Sequence, residues 1–288
     1  MTTSSLYQRV TDAIVAKLEE GTNPWSQSWS NSGGTHNILP TNAATNRPYS
    51  GINIVVLWGA AQRNSYQDNS WITYKQAHDR GFQVRKGEKA TEVCYYKLRK
   101  IVDESSDKTV NIPLLRSFYV FNVDQLVNWE CSAETILPAP DDSIVAAEDV
   151  VKRSECDLRH GGNQAFYIPS KDFIAMPELS RFNSCDSYYA TLLHELTHWT
   201  GHKSRLNRDK PTRFGDETYA FEELVAEMGS AFLCADLGVA GQLEQHASYI
   251  DGWLKILKKD SKAIFKAASL ASKAHQYLVG SKDEEGSE

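Results

Sequence analysis

The amino-acid sequence predicts an α+β fold divided into two domains, on three observations. In the first half, runs rich in aromatic and β-branched residues (TEVCYYKLR, RSFYVFNV) alternate with amphipathic helical patterns. The second half is dominated by helical periodicity and carries HELTH inside the apolar run YYATLLHELTHW. Between the halves, CSAETILPAPDDS (Cys131–Ser143) has the proline-rich, polar character of a linker. The expected organisation is a first domain over 1–130, a linker over 131–145, a second domain over 146–280 and a disordered tail over 281–288. A length of 288 residues with 41% apolar composition is enough for two such cores.

Leu6, Val10, Ala13, Ile14 and Leu18 recur at helical spacing before Gly21, so the chain opens with a helix. Residues Thr22–Gly51 turn to Asn, Ser, Thr, Gly and Pro with embedded aromatic rings and read as a long functional loop. Helices are expected over Ile52–Arg63 and Ile72–Arg80. Strands are expected over Thr91–Arg99 and Arg116–Val123, with a hairpin tip at Asp103–Lys108. Beyond the linker come a helix over Ala146–Glu155 and strands near Ala165–Ile168 and Phe173–Met176. Four helices complete the chain, over Ser187–Thr200, Thr218–Asp236, Leu243–Lys259 and Ser261–Val279.

No apolar run reaches the roughly 18 residues that span a bilayer, and MTTSSLYQRV lacks a secretory pattern, so a cytoplasmic protein without a membrane partner is expected. The five cysteines stand singly, which predicts neither a disulfide nor a cysteine metal site. The net charge of −6 is uneven. Residues 1–130 hold 14 Lys+Arg against 12 Asp+Glu, leaving 17 against 25 for the remainder, and Trp71–Lys100 alone holds 8 against 3. An anionic partner for the first half would explain this, as would a solvated basic face.

His194 and His198 stand four apart on a predicted helix, so both imidazoles share one face and can converge on one zinc ion. Glu195 lies beside them, in the register of a general base for a water that the metal acidifies. The third ligand must come from elsewhere. HELTHWTGH follows the metzincin pattern until Ser204 occupies its last histidine position. His202 would lie about 12 Å from His194 on a continuing helix, and Gly201 is expected to end that helix first. Glu223-x-x-Ala226-Glu227 is similar to the ExxA[DE] pattern of gluzincins, which makes Glu223 the third ligand and Glu227 the residue that orients His194, with exchange of the two acids left open. Zinc is the expected metal, with another divalent ion such as manganese as the alternative. Tyr188, Tyr189 and Tyr219 could polarise a carbonyl but read as core.

The first half also interleaves aromatic and basic side chains. Trp25, Tyr49, Trp71 and Tyr74 offer flat surfaces for unpaired bases, while Arg47, Lys75, Arg85, Lys86 and Lys89 offer cations for phosphates. Buried tryptophans beside a solvated basic face would give the same pattern.

Four segments, NRPYSGIN (Asn46–Asn53), WITYKQAHDRGFQVRKGEKATEV (Trp71–Val93), YYATLLHELTHWTGHKSRLNR (Tyr188–Arg208) and YAFEELVAEMGSAFLCADLG (Tyr219–Gly238), resemble the ArdC-type antirestriction proteins of conjugative plasmids. The resemblance implies an N-terminal single-stranded-DNA-binding domain and a C-terminal zincin-like, gluzincin-type metallopeptidase domain. It further implies protection of incoming DNA from host restriction, with a host restriction or DNA-bound protein as the candidate peptidase substrate. The alternative is a non-proteolytic coat on single-stranded DNA with a structural or vestigial metal site.

Overall fold

The computed structural model describes residues 5–25, 39–103, 108–129, 140–208, 216–240 and 247–280. Its contacts group 34–135 into one unit and 1–33 with 136–288 into another. The first helix, α1 (Leu6–Glu19), starts at Ser5, whose hydroxyl accepts from the Gln8 amide, and buries Val10, Ile14, Val15 and Leu18 as one stripe.

The 34–135 unit is a sheet with helices. Its elements are β1 (Thr41–Asn42), α2 (Ile52–Asn64), β2 (Ser70–Thr73), α3 (Tyr74–Asp79), β3 (Gln83–Val84), β4 (Thr91–Asp103), β5 (Lys108–Asn122) and β6 (Leu126–Val127). Four strands run in the order β1-β2-β5-β4, and β3 pairs separately with β6. The β4–β5 hairpin keeps one register from Thr91↔Val120 to Asp103↔Lys108; of the tip expected over Asp103–Lys108, the end residues pair as strand and 104–107 lie outside the described residues. Along the outer edge of β4, the Asn53 side chain from α2 accepts from the Cys94 amide and donates to the Cys94 carbonyl, at 2.8 and 2.7 Å, taking the place of a further strand. The stretch expected as one helix over 72–80 divides. Trp71, Ile72 and Thr73 pair with Asn122, Phe121 and Val120. Thr73 then caps α3 in a capping box with Gln76. A β-branched pair beside a tryptophan favours the strand, and the helix begins only once a capping hydroxyl is available.

The other unit continues with α4 (Pro140–Ser154), β7 (Asp157–His160), β8 (Phe166–Ile168), β9 (Phe173–Met176), α5 (Cys185–Thr200), α6 (Glu217–Leu237), α7 (Ala247–Lys259) and α8 (Ala263–Val279). The three strands run β7-β9-β8. Ser184 caps α5, Asp216 caps α6, and Gly238 ends α6 in the left-handed conformation. The core is built from Ile174 and Met176 of β9 and Leu192, Leu193 and Leu196 of α5, with Leu233 of α6 and Leu278 of α8. Helices α5 and α6 meet closely: a Cβ on Gly229 would stand 2.5 Å from Thr197 Cγ2.

The expected first domain began at residue 1, but α1 packs with the later unit. Thr11 donates to the Ser261 carbonyl at 2.7 Å, and the Tyr7 and Phe265 rings meet edge to face at 4.7 Å. An amphipathic stripe requires an apolar partner and leaves its identity open; here it is the C-terminal helix pair. None of the described helices is long and apolar enough to cross a membrane.

Candidate metal centre

Helix α5 presents His194 and His198 one turn apart, and α6 presents Glu223 opposite them. The two imidazoles approach through their Nε2 atoms at 3.1 Å, and Glu223 lies 3.5 Å from His194 Nε2 and 3.7 Å from His198 Nε2. Tetrahedral bonds of about 2.0–2.1 Å require ligand atoms about 3.3 Å apart. The two Nε2 atoms meet that spacing, and Glu223 reaches His194 through Oε2 and His198 through Oε1. One ligand atom from each residue lies within 4.8 Å of the others, close enough for one divalent cation to gather them. Two imidazole nitrogens and one carboxylate oxygen are also the donor types that such an ion takes. Among the described residues, these three form a group that could hold a metal ion.

The surroundings are rich in carboxylates. Glu195, Glu222, Glu223 and Glu227 are each only 6–8% exposed. Charges buried this deeply require counter-charges. Burial pushes the His198 imidazole down, but the Glu222 and Glu223 carboxylates more than reverse this and hold it up at about 10 in the cation-free chain. His194 is raised in the same sense, and Glu223 is held well below the usual carboxylate range by the two histidines in spite of its burial. A cation bound at the Nε2 atoms would compete with protons for the same lone pairs. Zinc affinity is expected to fall as pH falls from 8 to 6, by about tenfold per unit for each proton displaced. Calorimetry in buffers of different ionisation enthalpy measures that proton count.

The second acid of the expected motif behaves differently. Glu227 is buried and its charge favours the His194 imidazolium, yet His194 Nδ1 has no hydrogen-bond partner among the described residues. The carboxylate that meets a ligand histidine is instead Glu222, whose Oε1 lies 3.4 Å from His198 Nδ1. Glu222 is also held by Arg208 at 2.6 Å. Neither role is marked by a motif, although three acids within six residues of an apolar helix, Glu222, Glu223 and Glu227, signal a need for buried cations. His202 turns away from the centre: its Nδ1 lies 2.7 Å from Ser204 Oγ and 3.8 Å from Asp172. Tyr188 and Tyr189 belong to the core as expected. Tyr219 instead has its hydroxyl bonded to Tyr249, at 3.2 Å, and to Glu223, and burial together with these neighbours raises it.

The residues expected at DNA divide by exposure. Trp25 is fully buried with its ring 5.4 Å from that of Trp253, and Trp71 is fully buried against Tyr66. Neither offers a face to a base, because each fills its own core, so both are corrected to structural residues. Tyr49 is half-buried, while Arg47, Tyr74, Lys75, Arg85, Lys86 and Lys89 are exposed. Lys75 pairs with Asp79, and Arg85 with Glu88 and the Asp124 carbonyl. The structure adds further exposed rings on β4 and β5, namely Tyr95, Phe118 and Tyr119.

Comparison with known proteins also divides the chain in two, with α1 included in the N-terminal family match. Residues 4–121 match the family described as the N-terminal domain of anti-restriction factor ArdC, and 145–270 match the zincin-like metallopeptidase family. The crystal structure of the antirestriction ArdC protein from R388 plasmid, in its metal-free form, superposes with a TM-score of 0.79 at 41% identity, covering 96% of this chain and 97% of that one. The chain belongs to the ArdC antirestriction family. A Mn(II)-bound structure of the R388 ArdC protein gives a TM-score of 0.78 at 40% identity, covering 96% and 97% of the two chains. The uncharacterized protein y4eC of Sinorhizobium fredii is 37% identical over 96% of this chain and 92% of its own length. The DNA primase TraC of Escherichia coli is 39% identical over 95% of this chain, which spans only 20% of TraC. Within the ArdC family frame, the α5–α6 cluster lies in the zincin-like domain and the β4–β5 hairpin begins in the ArdC N-terminal domain.

Proposed function

We propose that this ArdC-family chain binds single-stranded DNA through its 34–135 unit, hydrolyses peptide bonds at the α5–α6 centre, and protects incoming plasmid DNA from restriction. One observation carries the peptidase reading: Glu195 stands between two histidines whose Nε2 atoms converge with the Glu223 carboxylate. A purely structural cation site has no use for a base in that position. A divalent ion such as zinc, held by His194, His198 and Glu223, would polarise a carbonyl oxygen and acidify a water. Glu195 then accepts the proton of the attacking water and delivers it to the departing amine. The imidazoles would offer that ion their Nε2 lone pairs.

The DNA reading rests on the family's N-terminal domain and on exposed rings. Tyr74 is 61% exposed and Tyr119 58%, with Tyr95, Phe118 and Arg116 also open on the hairpin. Rings of this kind stack on bases without regard to sequence. They also favour a second reading, in which the chain coats single strands and the metal centre has no peptidase role.

Two measurements separate the readings. Candidate restriction proteins incubated with the wild type, with and without single-stranded DNA, are expected to be cleaved faster when the strand is present. Protection of transferred DNA that survives Glu195→Ala would instead establish the coating reading. Tyr119→Ala is expected to weaken oligonucleotide binding by about 1–3 kcal/mol, read by fluorescence anisotropy at fixed salt. Unchanged affinity would remove that ring from the binding surface.

A further inference from the structure

Arg208 belongs to the loop after α5 and is only 7% exposed beside the metal centre. Its Nη2 donates to Glu222 Oε1 and to the Thr197 carbonyl, both at 2.6 Å. Its Nη1 donates to Thr200 Oγ1 at 2.7 Å, and its Nε to Glu222 Oε2 at 3.2 Å. Gly201 leaves room for the guanidinium, since a Cβ there would meet Nη2 at 2.9 Å. The group thus joins the Thr200 hydroxyl on the Thr197 carbonyl near the end of the HELTH helix and ties that helix to α6, which carries Glu222 and Glu223.

Glu222 and Glu223 are neighbours in sequence, and both approach His198, Glu222 at Nδ1 and Glu223 at Nε2. A divalent ion would attract either carboxylate. The guanidinium engages both oxygens of Glu222 and none of Glu223 among the bonds of this centre. A carboxylate gripped in this way can only accept, so it takes the Nδ1–H of His198 and leaves the Nε2 lone pair for the cation.

We propose that Arg208 and Glu222 are a positioning pair that commits Glu222 to His198 Nδ1 and thereby selects Glu223 as the carboxylate ligand. The inference rests on the metal-centre reading above. It concerns the division of labour between two adjacent acids, which no motif in the chain specifies.

The test uses the full chain stripped of metal and two probes, zinc(II) affinity by chelator competition and the visible spectrum after cobalt(II) loading. Glu222→Gln is expected to bind zinc about 10–100-fold more weakly than wild type. Arg208→Gln is expected to give a less intense cobalt spectrum, because the released Glu222 adds an oxygen to the ion, and Arg208→Lys to recover part of the wild-type intensity. Zinc affinity within twofold of wild type for Glu222→Gln overturns the pairing, and so does a cobalt spectrum of Arg208→Gln that superimposes on wild type. If circular dichroism shows that Arg208→Gln does not fold, the zinc affinity of Glu222→Gln decides alone. His194→Ala separates the two levels of the argument. A wild type that binds no zinc removes the metal-centre reading and the pairing with it, whereas zinc bound by the wild type, lost in His194→Ala and unchanged in Glu222→Gln removes the pairing alone.

Discussion

Glu195→Gln is expected to cut peptide hydrolysis by about 10²–10⁴-fold, the usual contribution of a positioned base, while metal content stays at the wild-type level. The side chain is buried and sits next to His194 on α5, but it is not among the three residues whose atoms converge as ligands. Glutamine preserves its volume and its hydrogen-bonding reach and removes only the capacity to accept a proton. Gel electrophoresis of an unstructured protein substrate, run beside elemental analysis of the same samples, separates the possibilities. Full activity in the variant would exclude Glu195 as the base. Loss of metal in parallel with activity would show that it supports the ion instead of the chemistry.

Gly229→Ala is expected to destabilise the zincin-like unit by about 3 kcal/mol, at the upper end of overpacking effects. The added methyl would stand 2.5 Å from Thr197 Cγ2 and 2.9 Å from its Oγ1. Thr197 cannot swing aside, because it is fully buried and its hydroxyl donates to the Leu193 carbonyl at 2.8 Å. The backbone of α5 must then shift, carrying both histidines away from Glu223. A fall in Tm of roughly 6–12 °C corresponds to that energy for a unit of this size. Thr197→Ala in the same chain removes both clashing atoms and is expected to restore much of the loss. Additive rather than compensating effects in that double-mutant cycle would place the strain elsewhere.

What could be read from the sequence followed from periodicity and local chemistry. The HELTH helix, its partner α6 and the convergence of His194, His198 and Glu223 follow from helical register and the need for a third donor. The choice between Glu222 and Glu227 as histidine partner could not be read in the same way, because it depends on how α5 and α6 cross and on Arg208, which arrives from a loop. Trp25 and Trp71 read as stacking candidates in the sequence because a tryptophan that fills a core and one that stacks on a base are the same residue, and only burial distinguishes them. The exposed rings of Phe118 and Tyr119 became apparent only from the strand register, which turns neighbouring residues to opposite faces of β5. For α1, the sequence gives the buried stripe but not the helices that cover it.

The central claim is a divalent-cation site made by His194, His198 and Glu223, and metal titration of three chelator-treated proteins tests it most directly. Wild type and Glu227→Ala are expected to take up one zinc ion per chain, and Glu223→Ala to lose stoichiometric binding, with affinity down by at least about a thousandfold. One ion per chain in Glu223→Ala and none in Glu227→Ala would contradict the account and assign the third ligand to the acid one turn later.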